Sequence, residues 1–398
     1  MRRAAFKSIW FGHSFRFLRI LGALIVLAGA VALLRDTALQ GQDFAVFWRA
    51  ARTLWSGQSL YDLERDGAMV FKYPPWIATF FTPFACLPLD AAKWVWGAVE
   101  LAALAYCVKW LSRRVHHEGI LWIAVFGFWG IWAVHAMDGQ INLVLLAGVL
   151  WAWESDTVFA RVTAIVLLST KIFTGFALIA WFLRDIRRSK GGLSLQAAVW
   201  AVAVFVVFSF PAVLSQNVSR ASSGSRVEKL STSWWDAAAS GGTQFEGEKI
   251  RGRGNQGFPA LILRAMAVPA RETRWDLVLF AVTAFAASGA FVWASTWVTA
   301  EESVGLALGL MVVAHPLAWF HLYVFAFPLT VLALERAWDS RKWQIVTCAF
   351  LGAFLLAAIS RKTLGVFGAR LELFSIKAWG VLFLAYALVQ AVRIKSRR

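Results

Sequence analysis

Charged side chains are scarce: Asp, Glu, Lys and Arg together make up 16% of 398 residues, against about 25% in soluble domains. That deficit excludes the ordinary soluble two-layer architectures. Cysteine is scarcer still. Cys86, Cys107 and Cys348 are the three, and their scatter over apolar stretches excludes a disulfide framework and a thiolate metal site. No nucleotide-binding motif occurs. His135, His315 and His321 lack the HxxxH or HExxH spacing of a metal site, so no cofactor and no metal are expected. Acidic residues are outnumbered, 23 against 40 basic ones. Much of that excess, as in Arg113-Arg114, Arg184 to Lys190 and Arg393 to Arg398, sits at the ends of apolar blocks. The positive-inside rule places such clusters in cytoplasmic loops, so the charge speaks for membrane topology and against nucleic acid.

What is abundant is apolar. Hydrophobic residues are 59% of the chain and mean hydropathy is +0.61. They fall in long blocks, several near the roughly 20 residues that carry an apolar helix across a bilayer. The first block, Phe17 to Leu34, follows Arg2, Arg3, Lys7 and Arg16 and ends without a small-residue cleavage site; an uncleaved helix is expected there. Alternation from a cytoplasmic N-terminus gives one all-α transmembrane domain over residues 1–398. It has about twelve helices, both termini inside and two long external segments, 36–87 and 216–274. The stretch Val158 to Leu183 reads as a hairpin of two short helices, which puts Lys171 at the outer face rather than at the midplane, where a charge is costly.

The first external segment carries an amphipathic pattern. Phe44, Phe47, Trp48, Ala51 and Trp55 recur at i, i+3, i+4, opposite Arg49 and Arg52. This predicts an interfacial helix with its aromatics in lipid. A second short helix is expected at Pro74-Pro75, since proline is tolerated in a first turn. The second segment opens Gly/Ser-rich and ends in an amphipathic piece from Phe258 to Met266.

Asp43 begins the interfacial helix. A carboxylate there serves as an N-cap or, held rigidly at the membrane surface, as a general base toward an acceptor hydroxyl. Lys72, Lys171, Arg264 and His321 fall at outer helix ends or in external segments, and residues 216–274 hold nine Lys and Arg against five acids. As a group these cations suit a phosphate. Asp138, Gln140 and Asn142 flank a tight turn at Gly139, for which turn chemistry is a sufficient reading.

In chain order, the motifs are Asp43 to Trp48, Gly57 to Asp62, Lys72-Tyr73-Pro74-Pro75, Leu87-Pro88-Leu89, Gly139-Gln140-Ile141-Asn142, Lys171, Asn255-Gln256 with Arg264, and His315 to His321. The set resembles the bacterial polyprenol-phosphate-mannose-dependent mannosyltransferases of glycosyltransferase family 87, over about residues 40–325. The resemblance implies a GT-C fold and a catalytic aspartate in the first external loop, where only Asp43 matches. It implies donor contacts at Lys171 and His321; the grouping of external cations adds Lys72 and Arg264 at the phosphate. Tyr61, Tyr73, Gln140, Asn142, Asn255 and Gln256 are the expected substrate-binding residues. The expected reaction is inverting transfer of a hexose, mannose by the resemblance, from a polyprenyl-phosphate donor to a lipid or glycan acceptor. It would take place at the periplasmic face of a bacterial inner membrane. The competing reading is a lipid or sugar transporter with a broken-helix site.

Overall fold

A computed structural model describes residues 22–56, 58–155, 157–170, 191–215, 234, 237, 251–266 and 273–396. Lys171, Gly57 and most of the second external segment lie outside the described residues. The described residues are all-helical, as the apolar blocks require once backbone groups must be satisfied inside a bilayer.

The helices run in chain order as α1 (Gly22–Leu39), α2 (Gln42–Ser56), α3 (Pro75–Phe80), α4 (Leu89–Ser112), α5 (Glu118–Gly127), α6 (Trp129–Asp138), α7 (Asn142–Glu154) and α8 (Val158–Ser169). After them come α9 (Gly191–Ser215), α10 (Phe258–Ala265), α11 (Thr273–Ser295), α12 (Ala300–Ala314), a 3-10 turn (Phe320–Ala326), α13 (Phe327–Ser340), α14 (Trp343–Ala357), α15 (Arg361–Glu372) and α16 (Ile376–Ser396). Among the described residues, five helical stretches are long and apolar enough to span a membrane, or up to seven if each of two bent pairs counts as one span. The sequence expectation was about twelve. Part of the expected set, the second arm of the Val158 to Leu183 hairpin, lies outside the described residues; other expected spans are short apolar helices such as Asn142–Glu154 and Val158–Leu167, and two pairs are bent, α5 and α6 by 48° and α14 and α15 by 103°.

The tightest packing joins α14 to α16. A Cβ at Gly352 would lie 2.8 Å from the Gly380 carbonyl oxygen, and one at Gly380 would lie 2.7 Å from that of Gly352. Small residues let the two backbones touch, as membrane helices do in place of hydrophobic exclusion. α13 is buried almost throughout. By contrast α11 turns side chains such as Val282 and Phe285 outward, the pattern of a lipid-facing helix.

One expectation is corrected by α2. Phe44 and Phe47 are fully buried in protein rather than immersed in lipid. Phe44 stacks on Trp96 of α4, and Phe47 stacks on Phe81 after α3. Trp48 Nε1 donates to the Leu87 carbonyl at 3.1 Å. Only Trp55, near the helix end, is exposed. The apolar stripe is therefore a core face, and α2 is clamped against the top of the bundle. The expected helix at Pro75 forms as α3, with Pro74 at its cap. It is fastened to α9 by Thr79 Oγ1, which donates to the Phe208 carbonyl at 2.7 Å.

Candidate active site

The chain reverses from α1 into α2 through Gly41, whose φ is +44°. The Ala45 amide donates to the Gly41 carbonyl at 3.1 Å. Gly41, not Asp43, therefore takes the cap position, which corrects the cap reading. Asp43 stands within the first helical turn, where the positive end of the helix favours a carboxylate.

A second reversal faces it. Gly139 ends α6 in the left-handed region (φ 65°, ψ 42°), its amide donating to the Ala136 and His135 carbonyls. The Gln140 amide adds a longer bond to His135 O at 3.3 Å, as glycine-closed helix ends do. This turn presses on α2: a Cβ on Gly139 would come within 2.9 Å of Phe44 Cβ and 3.0 Å of Gly41 Cα. Trp96 Nε1 holds the Gly139 carbonyl from the other side at 3.2 Å. The close approach brings buried Gln140 to Asp43, and Gln140 Nε2 donates to Asp43 Oδ2.

Asp138, one residue before Gly139, faces the 3-10 turn. Its Oδ2 lies 3.0 Å from His321 Nδ1, with the two side chains 38% and 14% exposed. Asn142 opens α7 and is fully buried; its Nδ2 donates to the His321 carbonyl at 3.2 Å. Asp43, Gln140, Asp138 and His321 are thus gathered at one end of the bundle by two glycine reversals and one break in helix α12–α13. Asp138 and His321 are partly exposed, and carboxylates and imidazole are groups that move protons.

Among the other expected residues, Asn255, Gln256, Arg264 and Tyr61 hydrogen-bond to the backbone. Asn255 Oδ1 accepts from the Ala318 amide at 2.9 Å and its Nδ2 donates to Pro316 O. The Gln256 amide donates to Ala318 O at 2.9 Å, its side chain donates to Glu372 O at 2.6 Å, and its carbonyl accepts from the Tyr323 hydroxyl at 2.9 Å. These bonds clasp residues 255–257 to the 315–318 break. Arg264 was expected at phosphate. The structure instead spreads its guanidinium over the carbonyls of Leu373 (2.8 Å), Asn255 (3.0 Å) and Gly252 (3.2 Å) and the Ser375 hydroxyl (2.7 Å). Burial holds its pKa below the ordinary guanidinium value, against a smaller opposing effect of Tyr323. Tyr61 donates its hydroxyl to the Tyr73 carbonyl at 2.8 Å, and its burial pushes the phenol pKa well up. Tyr73 rests on Phe47, ring centroids 4.7 Å apart, one helical turn from Asp43. Lys72 adjoins it, half-buried, with its carbonyl accepting from Trp234 Nε1 at 3.2 Å.

Sequence reasoning missed what supports the 138–142 turn. Inside the bundle, Thr37 Oγ1 donates to Glu100 Oε2 at 3.1 Å, Glu100 Oε1 lies 3.1 Å from His135 Nδ1, and the Leu143 amide donates to His135 Nε2 at 3.2 Å. All three side chains are buried. The Leu143 bond makes Nε2 the acceptor, so the ring proton sits on Nδ1, toward the carboxylate. An acidic residue in the middle of an apolar span was the available signal.

A family model described as glycosyltransferase family 87 matches residues 71–318, well over half of the chain. No curated protein and no solved structure matches it.

Proposed function

We propose that this chain, which belongs to glycosyltransferase family 87, transfers a hexose, mannose in our reading, from a polyprenyl-phosphate donor with Asp43 as general base. Family membership and the bundle of apolar helices make it a membrane glycosyltransferase. The observation that carries the finer reading is the carboxylate of Asp43, held by the Gln140 amide beside the Asp138–His321 pair. An amide donor fixes the orientation of the carboxylate.

The acceptor hydroxyl, from a lipid or a glycan, gives its proton to Asp43 as its oxygen attacks the anomeric carbon. The bond from that carbon to the phosphate oxygen breaks on the opposite face, so configuration inverts. The polyprenyl phosphate leaves with its negative charge facing fixed cations. His321 is one phosphate contact of this reading: Asp138 orients the ring through Nδ1, which leaves Nε2 as the group for the phosphate. Lys72 and Lys171 are the cations of this reading. Buried Asn142 Oδ1, which lacks a hydrogen-bond partner among the described residues, is an acceptor for a substrate hydroxyl. An apolar groove of about 1180 Å³, lined among others by Gly29, Leu33, Leu104, Trp122 and Trp132, suits the isoprenoid tail.

Orientation follows from charge. Arg113, Arg114, Arg336, Arg341, Lys342, Arg393 and Lys395 collect at the end of the bundle away from Asp43, where Arg114 pairs with Glu154 at 3.0 Å. The positive-inside rule makes that end cytoplasmic, so the site faces the periplasm of a bacterial inner membrane, where lipid-borne donors replace nucleotide sugars.

Asp43→Asn tests the base. The amide keeps the size of the side chain and an oxygen for Gln140, so the protein should express, fold and bind polyprenyl-phosphate mannose normally. Loss of a general base costs about 10²–10⁴ in rate. Transfer within tenfold of wild type by a folded Asp43→Asn protein would remove Asp43 from the reaction.

A further inference from the structure

At the end of the bundle opposite Asp43, α13 presents Glu335 and Asp339 one turn apart, on one helical face. His117, the residue before α5, reaches the same place. Its Nδ1 lies 3.1 Å from Glu335 Oε1 and 3.8 Å from Asp339 Oδ1. One ligand atom from each of the three lies within 4.8 Å of the other two. A tetrahedral ion with bonds of about 2.0–2.2 Å sets its ligand atoms roughly 3.3–3.6 Å apart, between the two separations seen.

Two independent observations point to an ion. Glu335 is fully buried, and Oε1 accepts from the His116 amide at 2.7 Å, yet buried Oε2 has no hydrogen-bond partner among the described residues. A carboxylate oxygen taken out of water without a partner is costly. The local charge is also unbalanced. Glu302 and Asp339 share one guanidinium, Arg336, which binds Glu302 and stands 3.9 Å from Asp339 Oδ2, and the basic group beside Glu335 is His117. Arg341 and Lys395 line the adjoining cavities, but neither forms an ion pair with these acids among the described residues. Beside the cluster, a cavity of about 400 Å³ bounded by His117, Trp338, Asp339, Arg341, Trp343 and Val346 has room for an ion and its water.

We propose that His117, Glu335 and Asp339 bind one divalent transition-metal ion of the zinc class, with water in the fourth position. One imidazole with two carboxylates suits zinc or manganese better than calcium or magnesium, which prefer oxygen alone. The ion joins the start of α5 to the end of α13. The far ends of these two helical rods carry Asp138, at the close of α6, and His321, in the 3-10 turn before α13. The site is therefore a fastener for the frame that holds the Asp138–His321 pair. It stands whether or not Asp43 is a base.

The test is zinc titration of the untagged, chelator-stripped full-length protein in detergent, against a competing chromophoric chelator. Wild-type protein should bind one equivalent, and zinc should raise its melting temperature. Asp339→Asn and His117→Ala alter partly exposed side chains. Each should weaken binding at least tenfold and abolish the thermal shift, with an unchanged elution volume. Glu335→Gln should do the same, but its burial makes it the variant most prone to misfold, so the other two decide. No stoichiometric zinc on wild type, or equal affinity in folded Asp339→Asn and His117→Ala, overturns the assignment.

Discussion

Gly139→Ala separates conformational strain from close approach, and the structure supplies its control. Gly139 has φ 65° and Gly67 has φ 52°. Alanine at either position meets the left-handed penalty of about 1–2 kcal/mol. At Gly67 nothing lies within 4 Å of a built Cβ, so that penalty is the whole cost. At Gly139 the new methyl would meet Phe44 Cβ at 2.9 Å and Gly41 Cα at 3.0 Å. Neither neighbour can swing away: one is a Cβ on a buried helix, the other is backbone. Forcing a methyl into packed surroundings adds about 1–3 kcal/mol. Gly139→Ala should therefore destabilise by about 2–5 kcal/mol and Gly67→Ala by about 1–2 kcal/mol.

The same clash moves the 138–142 turn off α2, so Gln140 loses Asp43. Tryptophan fluorescence during reversible unfolding in mixed micelles reads the first effect. Transfer activity at a temperature where both variants are folded reads the second. Gly139→Ala should lose at least tenfold in transfer, and Gly67→Ala should stay near wild type. Equal stability and activity in the two variants would mean that the turn does not seat on α2 as described, and the assembly of the site would have to be rethought.

Three further outcomes follow from the same geometry. Asp138→Asn and His321→Ala should each lower donor efficiency roughly ten- to hundredfold, the equivalent of a charged hydrogen bond of about 1.5–3 kcal/mol; the double variant should be no worse than His321→Ala if Asp138 acts only through the ring. Cys86 is exposed, on the segment proposed to be external, and Cys107 is buried, so an impermeant maleimide should label wild-type spheroplasts but not Cys86→Ser, and labelling confined to lysed cells would invert the topology. Arg264→Lys, which replaces a multiply bonded fork by a point charge, should lower thermal stability while leaving the donor KM of the folded fraction unchanged; a selective rise in donor KM would return Arg264 to the phosphate.

Composition and block length were sufficient for an all-helical membrane bundle, and the chain order of the motifs was sufficient for the family. Helix number was less legible. Window hydropathy reports that a segment is apolar, not whether it bends: Gly127-Phe128 breaks one apolar run by 48° without a proline, and α15 turns away by 103° where the sequence suggested only a connector. The stripe on α2 misled for a related reason. Periodicity shows that one face avoids water, but lipid and protein satisfy it equally, and Phe44 and Phe47 found partners on α4 and beside α3. The Asp138–His321 contact joins residues 183 positions apart, a separation that no local pattern spans.

The motif residues divide by what their polar atoms are needed for. Where α12 stops at Ala314 and the chain resumes as a 3-10 turn at Phe320, backbone amides and carbonyls lose their helical partners. Each must be satisfied by something close. Asn255 and Gln256 answer the break at Pro316 and Ala318, Asn142 answers His321 O, and Arg264 answers the carbonyls of Gly252, Asn255 and Leu373. A polar motif beside a helix break is thus first a replacement for helical hydrogen bonds, and a local pattern does not tell that role from substrate binding. Asp43, Gln140, Asp138 and His321 differ because their side chains meet one another. Such pairs do nothing for the backbone. They fix the direction of a carboxylate and of an imidazole, which is what the proposed base and the proposed phosphate contact each require.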